Sequence, residues 1–209
     1  MPTRAVGRHS PRWRWSLAAT ATLLGAGACS APGHADAPTF PHDGISHRYG
    51  ETFVQGRAYY GVPVLQKSFF WDGNGEDDDA GLGVHVAHFV GDDVAIGAGL
   101  NLGNWFKSGQ DAQSAELEGF LRAYPFHGGP LFIDLHGGFQ QATDAVPTGG
   151  TDWNFSFGFG PGVDIPVAED CSLMVGCTYH HISNALGRMN DRNPSQNEAR
   201  FWIGFAWTL

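Results

Sequence analysis

Apolar and polar residues alternate along most of the chain after residue 50, which is the pattern of β-strands with two different faces. In the clearest segment, 153–160, Trp153 and three phenylalanines alternate with glycine or small polar residues. The even-numbered residues from Val94 to Leu102 are likewise apolar, and the odd-numbered ones between them are small or polar. Eight such segments are predicted, near residues 52–61, 80–90, 94–105, 115–125, 131–140, 153–164, 171–184 and 197–208.

An even number of short amphipathic strands predicts an all-β protein, an eight-stranded antiparallel transmembrane β-barrel. The continuous apolar face is expected to meet lipid. The opposite face carries charges that can pair inside a narrow barrel, and it includes Arg57, Glu116, Glu118, Arg122, Asp134 and His136. A soluble lipocalin-like barrel would show the same alternation with the two faces exchanged, and it is the structural alternative.

The predicted connections between strands alternate between long and short. Outer-membrane barrels have long outer loops and short periplasmic turns, so this alternation favours an outer-membrane barrel with both termini in the periplasm. The connection between the seventh and eighth strands then lies at the outer surface. Outside the N-terminal segment no apolar run reaches 18 residues, which excludes a helical membrane protein.

Three regions are predicted: a signal peptide at 1–28, a flexible leader at 29–50 and the barrel at 51–209. Four arginines precede a run of small and apolar residues that ends in Ala26-Gly27-Ala28, a secretory signal with its cleavage site. Cys29 would begin the mature chain, where it could also carry a lipid. Residues 30–50 are rich in proline, glycine and histidine without periodicity.

Charge and cysteine content bear on possible partners, on calcium binding and on disulfide bonds. The net charge of -9, with 12 Lys and Arg in total, argues against a nucleic-acid partner. The acidic stretch from Asp72 to Asp79 lacks the glycine and the final glutamate of a calcium loop, so a solvated outer loop is expected. Cys171 and Cys177 lie about 20 Å apart if they share a strand, too far to bond to each other, and both are expected to be unpaired.

The candidate chemistry lies at the end of the seventh strand, in His181-Ile182-Ser183-Asn184-Ala185. His181 and Ser183 are two residues apart and share a face, which places a base beside a hydroxyl. A catalytic histidine also needs a third group that orients it. Alternation along the last strand puts Asn197 on the face of His181, whereas the Glu198 carboxylate points inward unless a bulge reverses the order. Asn197 is therefore the favoured orienting residue, with Glu198 as the acidic alternative.

His181 to Asn184, with Asn197-Glu198 at the start of the last strand, resembles the His-x-Ser-Asn motif of the lipid A 3-O-deacylase family of outer-membrane barrels, the PagL type. The resemblance covers the barrel and is specific only in the last thirty residues. It implies that Ser183 is the nucleophile and His181 the general base, and that Asn184 with neighbouring backbone N–H groups stabilises the oxyanion.

We therefore expect a hydrolase of the outer membrane, a serine-dependent esterase that removes an ester-linked acyl chain from lipid A or lipopolysaccharide without a metal or other cofactor. Tyr179, Phe201 and Phe205 are expected to line the groove for the acyl chain. Two alternatives stay open: a non-enzymatic outer-membrane barrel in adhesion or membrane integrity, and a soluble lipid-binding barrel.

Overall fold

The computed structural model describes residues 44–64, 72–187 and 190–209, and in them eight antiparallel strands close into a barrel. The strands are β1 (Thr52–Pro63), β2 (Asp78–Gly91), β3 (Val94–Phe106), β4 (Ala112–Ala123), β5 (Leu131–Val146), β6 (Thr151–Ala168), β7 (Cys171–Ser183) and β8 (Gln196–Thr208). Because β1 pairs with both β2 and β8, the sheet has no free edge. The predicted fold class is confirmed. The signal peptide and residues 29–43 of the leader lie outside the described residues.

The outward face of the barrel is apolar. Phe155 is 51% exposed, and Leu102, Leu117, Ile133 and Ile203 are between 52 and 64% exposed. A lipocalin-like barrel would bury these side chains, so the soluble alternative is wrong. The outward band instead matches the hydrocarbon of a membrane.

The interior is filled by paired charges, as predicted. Arg122 donates two hydrogen bonds of 2.8 Å to the Asp134 carboxylate, and its guanidinium lies 4.0 Å from the centroid of the Phe132 ring. Glu118 accepts from Arg57 at 2.9 Å and lies 2.8 Å from the His85 ring. These paired charges share the interior with a cluster of buried apolar side chains that includes Phe53, Phe132 and Trp202. The charges persist there because they are paired and hydrogen-bonded.

The connections differ in part from the predicted alternation. At the end away from the termini, 14 residues separate β1 from β2 and 12 separate β7 from β8, but the connections 107–111 and 147–150 at that same end are short. β5 and β6 are longer than predicted, because their ladder continues up to the pair Val146 and Thr151. Continued pairing satisfies backbone groups that an irregular loop would leave to water.

The acidic stretch is not simply a solvated loop, as its composition suggested. Asp77 is buried and accepts hydrogen bonds from the N–H and hydroxyl of Thr148. Asp79 is fully buried and accepts from Arg200 at 3.0 Å. Both carboxylates therefore hold the outer end of the barrel together.

The last part of the expected flexible leader packs into the end of the barrel that holds the termini. The N–H of buried Ile45 donates to Ser172 Oγ at 3.0 Å, and the His47 ring stacks on Tyr124 with centroids 3.7 Å apart. Cys177 is free, as expected, whereas the expectation was wrong for Cys171, which is disulfide-bonded. None of the described segments is a helix long and apolar enough to cross a membrane.

Candidate active site

His181 and Ser183 lie on the outward face of β7 at its outer end. Ser183 is the last residue of the strand, and the opposite end of β7, at Cys171, pairs with Trp207 beside the chain terminus. The predicted position, outside the barrel and away from the termini, is confirmed.

His181 is outward-facing and nevertheless only 5% exposed, because its neighbours cover it. Across the sheet it lies between Phe157 of β6 and Asn197 of β8. The segment from Asp72 to Gly75 crosses the start of β8, where Asn74 N–H donates to the Pro194 carbonyl at 2.9 Å. A side chain at Gly73 would collide with the Asn197 backbone nitrogen, so the chain passes very close to the site there. The histidine is thus shielded from bulk water on one side.

Asn197 orients the His181 ring. Its Oδ1 lies 2.7 Å from His181 Nδ1 and also accepts a 2.7 Å hydrogen bond from the Tyr179 hydroxyl. Because an amide oxygen carries no hydrogen, Nδ1 of His181 must hold the ring proton. Nε2 then carries the ring lone pair, which can accept a proton. The prediction that Asn197 rather than Glu198 approaches His181 is confirmed.

Glu198 belongs to the barrel interior. Its carboxylate is fully buried, lies 3.0 Å from His180 Nδ1 and accepts from Gln196 at 2.6 Å and from Arg200 at 3.3 Å. The register of β7 and β8 runs without interruption from Cys171 to Ile182, so no bulge turns Glu198 outward. The alternative that Glu198 orients His181 is therefore wrong.

Ser183 is partly exposed and lies opposite Phe155 of β6. In the part of the chain that the structure describes, no hydrogen bond joins its hydroxyl to the His181 ring. Residues two apart on a strand have backbones about 6 to 7 Å apart, so rotation of the two side chains can bring their tips together.

Asn184 has a structural role that sequence reasoning missed. Its Nδ2 donates to Thr151 Oγ1 at 3.0 Å and to the Arg192 carbonyl at 2.6 Å, which uses both amide hydrogens. Its Oδ1 accepts from the Leu186 N–H at 3.2 Å. The side chain closes the connection between β7 and β8 and has no hydrogen left for an oxyanion. Its expected role as a side-chain oxyanion donor is not supported by this geometry.

The backbone after Ser183 offers another donor. Ala185 has a positive φ of 58°, which turns the chain sharply after the strand. Within the described residues its N–H has no hydrogen-bond partner. An unpaired backbone N–H two residues after Ser183 is a candidate donor for an oxyanion.

An outward aromatic surface adjoins the site, formed by Phe139, Trp153, Phe155 and Phe157. The Phe155 ring contacts both Phe139 and Trp153, with centroids 5.8 and 6.0 Å apart. Alternation predicted that the β6 aromatics face outward, but only the pairing of β6 with β7 places them beside His181 and Ser183.

The predicted acyl-binding residues lie at different distances from the site. Phe201 is 53% exposed and four positions below Asn197 on β8, about 13 Å away. Phe205 is eight positions below, about 26 Å away, near the end of the barrel that holds the termini. Tyr179 is adjacent to His181, but its hydroxyl is bound to Asn197. Within the described ranges, no group of three or more His, Cys, Asp or Glu residues could hold a metal ion.

Comparisons with known proteins show the fold. No protein-family model and no curated protein matches the sequence. The crystal structure of the outer membrane enzyme PagL is 15% identical, with a TM-score of 0.52 over 72% of this chain and 97% of that one. Neisserial surface protein A is 12% identical with a TM-score of 0.49, over 76% of this chain and 96% of that one. OprG from Pseudomonas aeruginosa is 12% identical with a TM-score of 0.48, over 81% and 99%. The likeness to the PagL structure, with a TM-score above 0.5, shows that the chain has the fold of an outer-membrane barrel, and its apolar outward band fits that membrane.

Proposed function

We propose that this barrel is an outer-membrane esterase that removes an ester-linked acyl chain from lipid A or a similar glycolipid, through an acyl-enzyme on Ser183. One observation carries the proposal. His181 has its Nδ1 held 2.7 Å from Asn197 Oδ1 and stands two residues from Ser183, on the same outward face at the outer rim. This is a nucleophile, a base and an orienting group in the order that serine hydrolysis needs.

In the first half of the reaction, Ser183 Oγ attacks the carbonyl carbon of the ester while His181 Nε2 takes the hydroxyl proton. Backbone N–H groups after Ser183, with that of Ala185 first among them, stabilise the oxyanion. The bond from the carbonyl carbon to the sugar oxygen then breaks. His181 returns its proton to that oxygen, and the acyl chain stays on Ser183.

In the second half, a water molecule attacks the acyl-enzyme and His181 Nε2 accepts one of its protons. The bond to Ser183 Oγ breaks, the proton passes to that oxygen, and the fatty acid leaves. Asn197 stabilises the protonated histidine in both halves by accepting from Nδ1. No step in this sequence requires a metal or cofactor.

The surroundings of the site support a membrane lipid as the substrate. Ser183 stands at the top of an apolar wall and next to the aromatic surface, so an acyl chain can approach sideways from the bilayer without crossing water. The outer leaflet of a typical Gram-negative outer membrane contains lipid A.

The test is release of fatty acid by purified protein in mixed micelles with lipid A. We expect Ser183→Ala and His181→Ala each to abolish release, because activation of the serine is a joint property of the two residues. His88→Ala is the matched control. This histidine also faces outward, but it lies at the other end of the barrel against Thr52, and its loss should leave release intact.

All three variants should remain folded, which the shift in gel mobility on heating reports. Release by Ser183→Ala equal to that of the wild type would contradict the esterase. Absence of release by the wild type with every acyl ester tested would favour a non-enzymatic barrel in adhesion or membrane integrity.

A further inference from the structure

We propose that Tyr179 is a positioning residue that holds the Asn197 amide in the orientation that makes His181 a base. Its kinetic consequence rests on the proposed esterase function, whereas its effect on the histidine does not. This role differs from the contact with an acyl chain that the sequence suggested for Tyr179.

Tyr179 and His181 both form a hydrogen bond with the same oxygen atom, Asn197 Oδ1. Tyr179 is two residues before His181 on the outward face of β7, and Asn197 is directly opposite His181 on β8. The Tyr179 hydroxyl therefore reaches Asn197 diagonally, as long aromatic side chains do in a sheet. Both hydrogen bonds to Asn197 Oδ1 are 2.7 Å long.

The ring of Tyr179 is itself held in place. It packs against Phe159 of β6 with centroids 5.5 Å apart and planes tilted by 42°, and these two residues are directly paired across the strands. A phenol fixed on one side by an aromatic contact can deliver its hydroxyl to one position at little further entropic cost.

An asparagine needs such a partner because its side-chain amide has an acceptor, Oδ1, on one side and a donor, Nδ2, on the other. With Oδ1 toward His181, Nδ1 carries the proton and Nε2 is a base. With the amide turned over, Nδ2 would donate to Nδ1, and the ring proton would move to Nε2. The histidine could then no longer accept the serine proton. A hydroxyl donor aimed at Oδ1 favours the first orientation, because a phenol donates more readily than it accepts. A carboxylate has two equivalent oxygens and would need no such help.

The first experiment compares Tyr179→Phe with Tyr60→Phe. Tyr60 of β1 also faces outward, and its hydroxyl binds Asp78 of β2 at 2.8 Å, on the side of β1 away from β8. Each variant removes one phenolic oxygen and keeps the ring. In mixed micelles with lipid A we expect Tyr179→Phe to lower kcat about tenfold with KM within about twofold, as loss of one orienting hydrogen bond implies. Tyr60→Phe should match the wild type.

The second experiment repeats Tyr179→Phe in an Asn197→Asp background. Because an aspartate accepts from His181 in either orientation, the loss of the Tyr179 hydroxyl should there change kcat less than about twofold. If the effects of the two substitutions simply multiply, Tyr179 does not act through the amide, and the proposal is overturned. A rise in KM alone for Tyr179→Phe would make Tyr179 a substrate contact and would overturn it as well.

A third measurement is independent of activity. In protein with 15N-labelled histidine, the His181 signals are identified by their loss in His181→Ala. We expect the wild type to show the form protonated at Nδ1, and Tyr179→Phe to show a mixture of the two neutral forms, with no change in Tyr60→Phe. An unchanged His181 in Tyr179→Phe would refute the positioning role. If Tyr179→Phe shows the mixture of neutral His181 forms but the wild type releases no fatty acid, Tyr179 positions the ring and the proposed esterase function is wrong.

Discussion

At the scale of single residues, the chemistry of the site depends on which of two neighbours faces outward. Asn197 and Glu198 are adjacent in sequence, yet one binds His181 and the other binds His180 behind it. The inner contact joins an imidazole to a carboxylate, and the outer one joins an imidazole to an amide. A carboxylate close in sequence to a candidate triad therefore need not belong to it.

Asn197→Ala should lower kcat more than Glu198→Gln does. Without Asn197, neither the orientation of the His181 ring nor the position of its proton on Nδ1 is held by this hydrogen bond. We therefore expect kcat to fall about a hundredfold. Steady-state release of fatty acid from lipid A measures both variants. The reverse order of the two effects would show that the interior carboxylate, and not the amide, supports the base.

Glu198→Gln should mainly reduce stability. It weakens the hydrogen bonds of Glu198 with Arg200 and His180, which keep Asp79 and Glu116 as other partners, and this costs about 1 to 3 kcal/mol in the free energy of unfolding. Urea unfolding in detergent or bilayers, followed by gel mobility, measures this loss. An unfolding midpoint equal to that of the wild type would indicate that Gln196 and the other carboxylates compensate for the change.

At the scale of elements, the pairing of β6 with β7 builds the surroundings of the site. It places Phe157 opposite His181 and Phe155 opposite Ser183. The two strands approach closely at Gly160, where a side chain would meet the Cys177 carbonyl and come 2.6 Å from the Thr178 Cα. Backbone atoms cannot move aside as a side chain can, so glycine is required there.

Gly160→Ala should therefore impair assembly of the barrel, whereas Gly137→Ala should be tolerated. At Gly137 the nearest atom to an added methyl group is the Ser156 carbonyl oxygen at 3.7 Å, an ordinary contact. The fraction of heat-modifiable protein after refolding into detergent compares them directly. Equal yields for the two variants would mean that β6 and β7 can shift to accept a side chain at Gly160.

Much at this scale could be predicted from sequence. The strands, their outward residues and the face shared by His181 and Asn197 were predicted, because each follows from alternation within a strand. The extension of β5 and β6 to Val146 and Thr151 was not, because hairpin continuation depends on pairing between segments. The hydrogen bonds that occupy Asn184 were missed for the same reason, since they join it to Thr151 and Arg192.

At the scale of the whole molecule, the barrel has its apolar surface outside and its charges inside. Lipid covers the outer band, and the interior combines paired ions with a cluster of buried apolar and aromatic side chains. The pair Arg122 and Asp134 is the clearest case, with two hydrogen bonds between buried groups.

Asp134→Leu alone should destabilise the barrel by about 3 to 5 kcal/mol, because it leaves the Arg122 guanidinium buried without its partner. The double variant Arg122→Met and Asp134→Leu should recover much of that loss, since no unpaired charge remains. Equilibrium unfolding in urea gives both values. A double variant less stable than Asp134→Leu would show that the contacts of Arg122 with the surrounding rings matter more than the ion pair.

The sequence alone determined the number of strands and which residues share a face, and it favoured Asn197 over Glu198, because period-two alternation is a local property that any single strand displays. The structure then decided that the apolar face is the outward one. Only the tertiary structure decided that Tyr179 shares the Asn197 oxygen with His181, that the chain at Gly73 covers the site and that Asn184 closes the outer loop. These contacts join segments far apart in the chain. They depend on strand register and on the path of connections, which alternation within one strand does not specify.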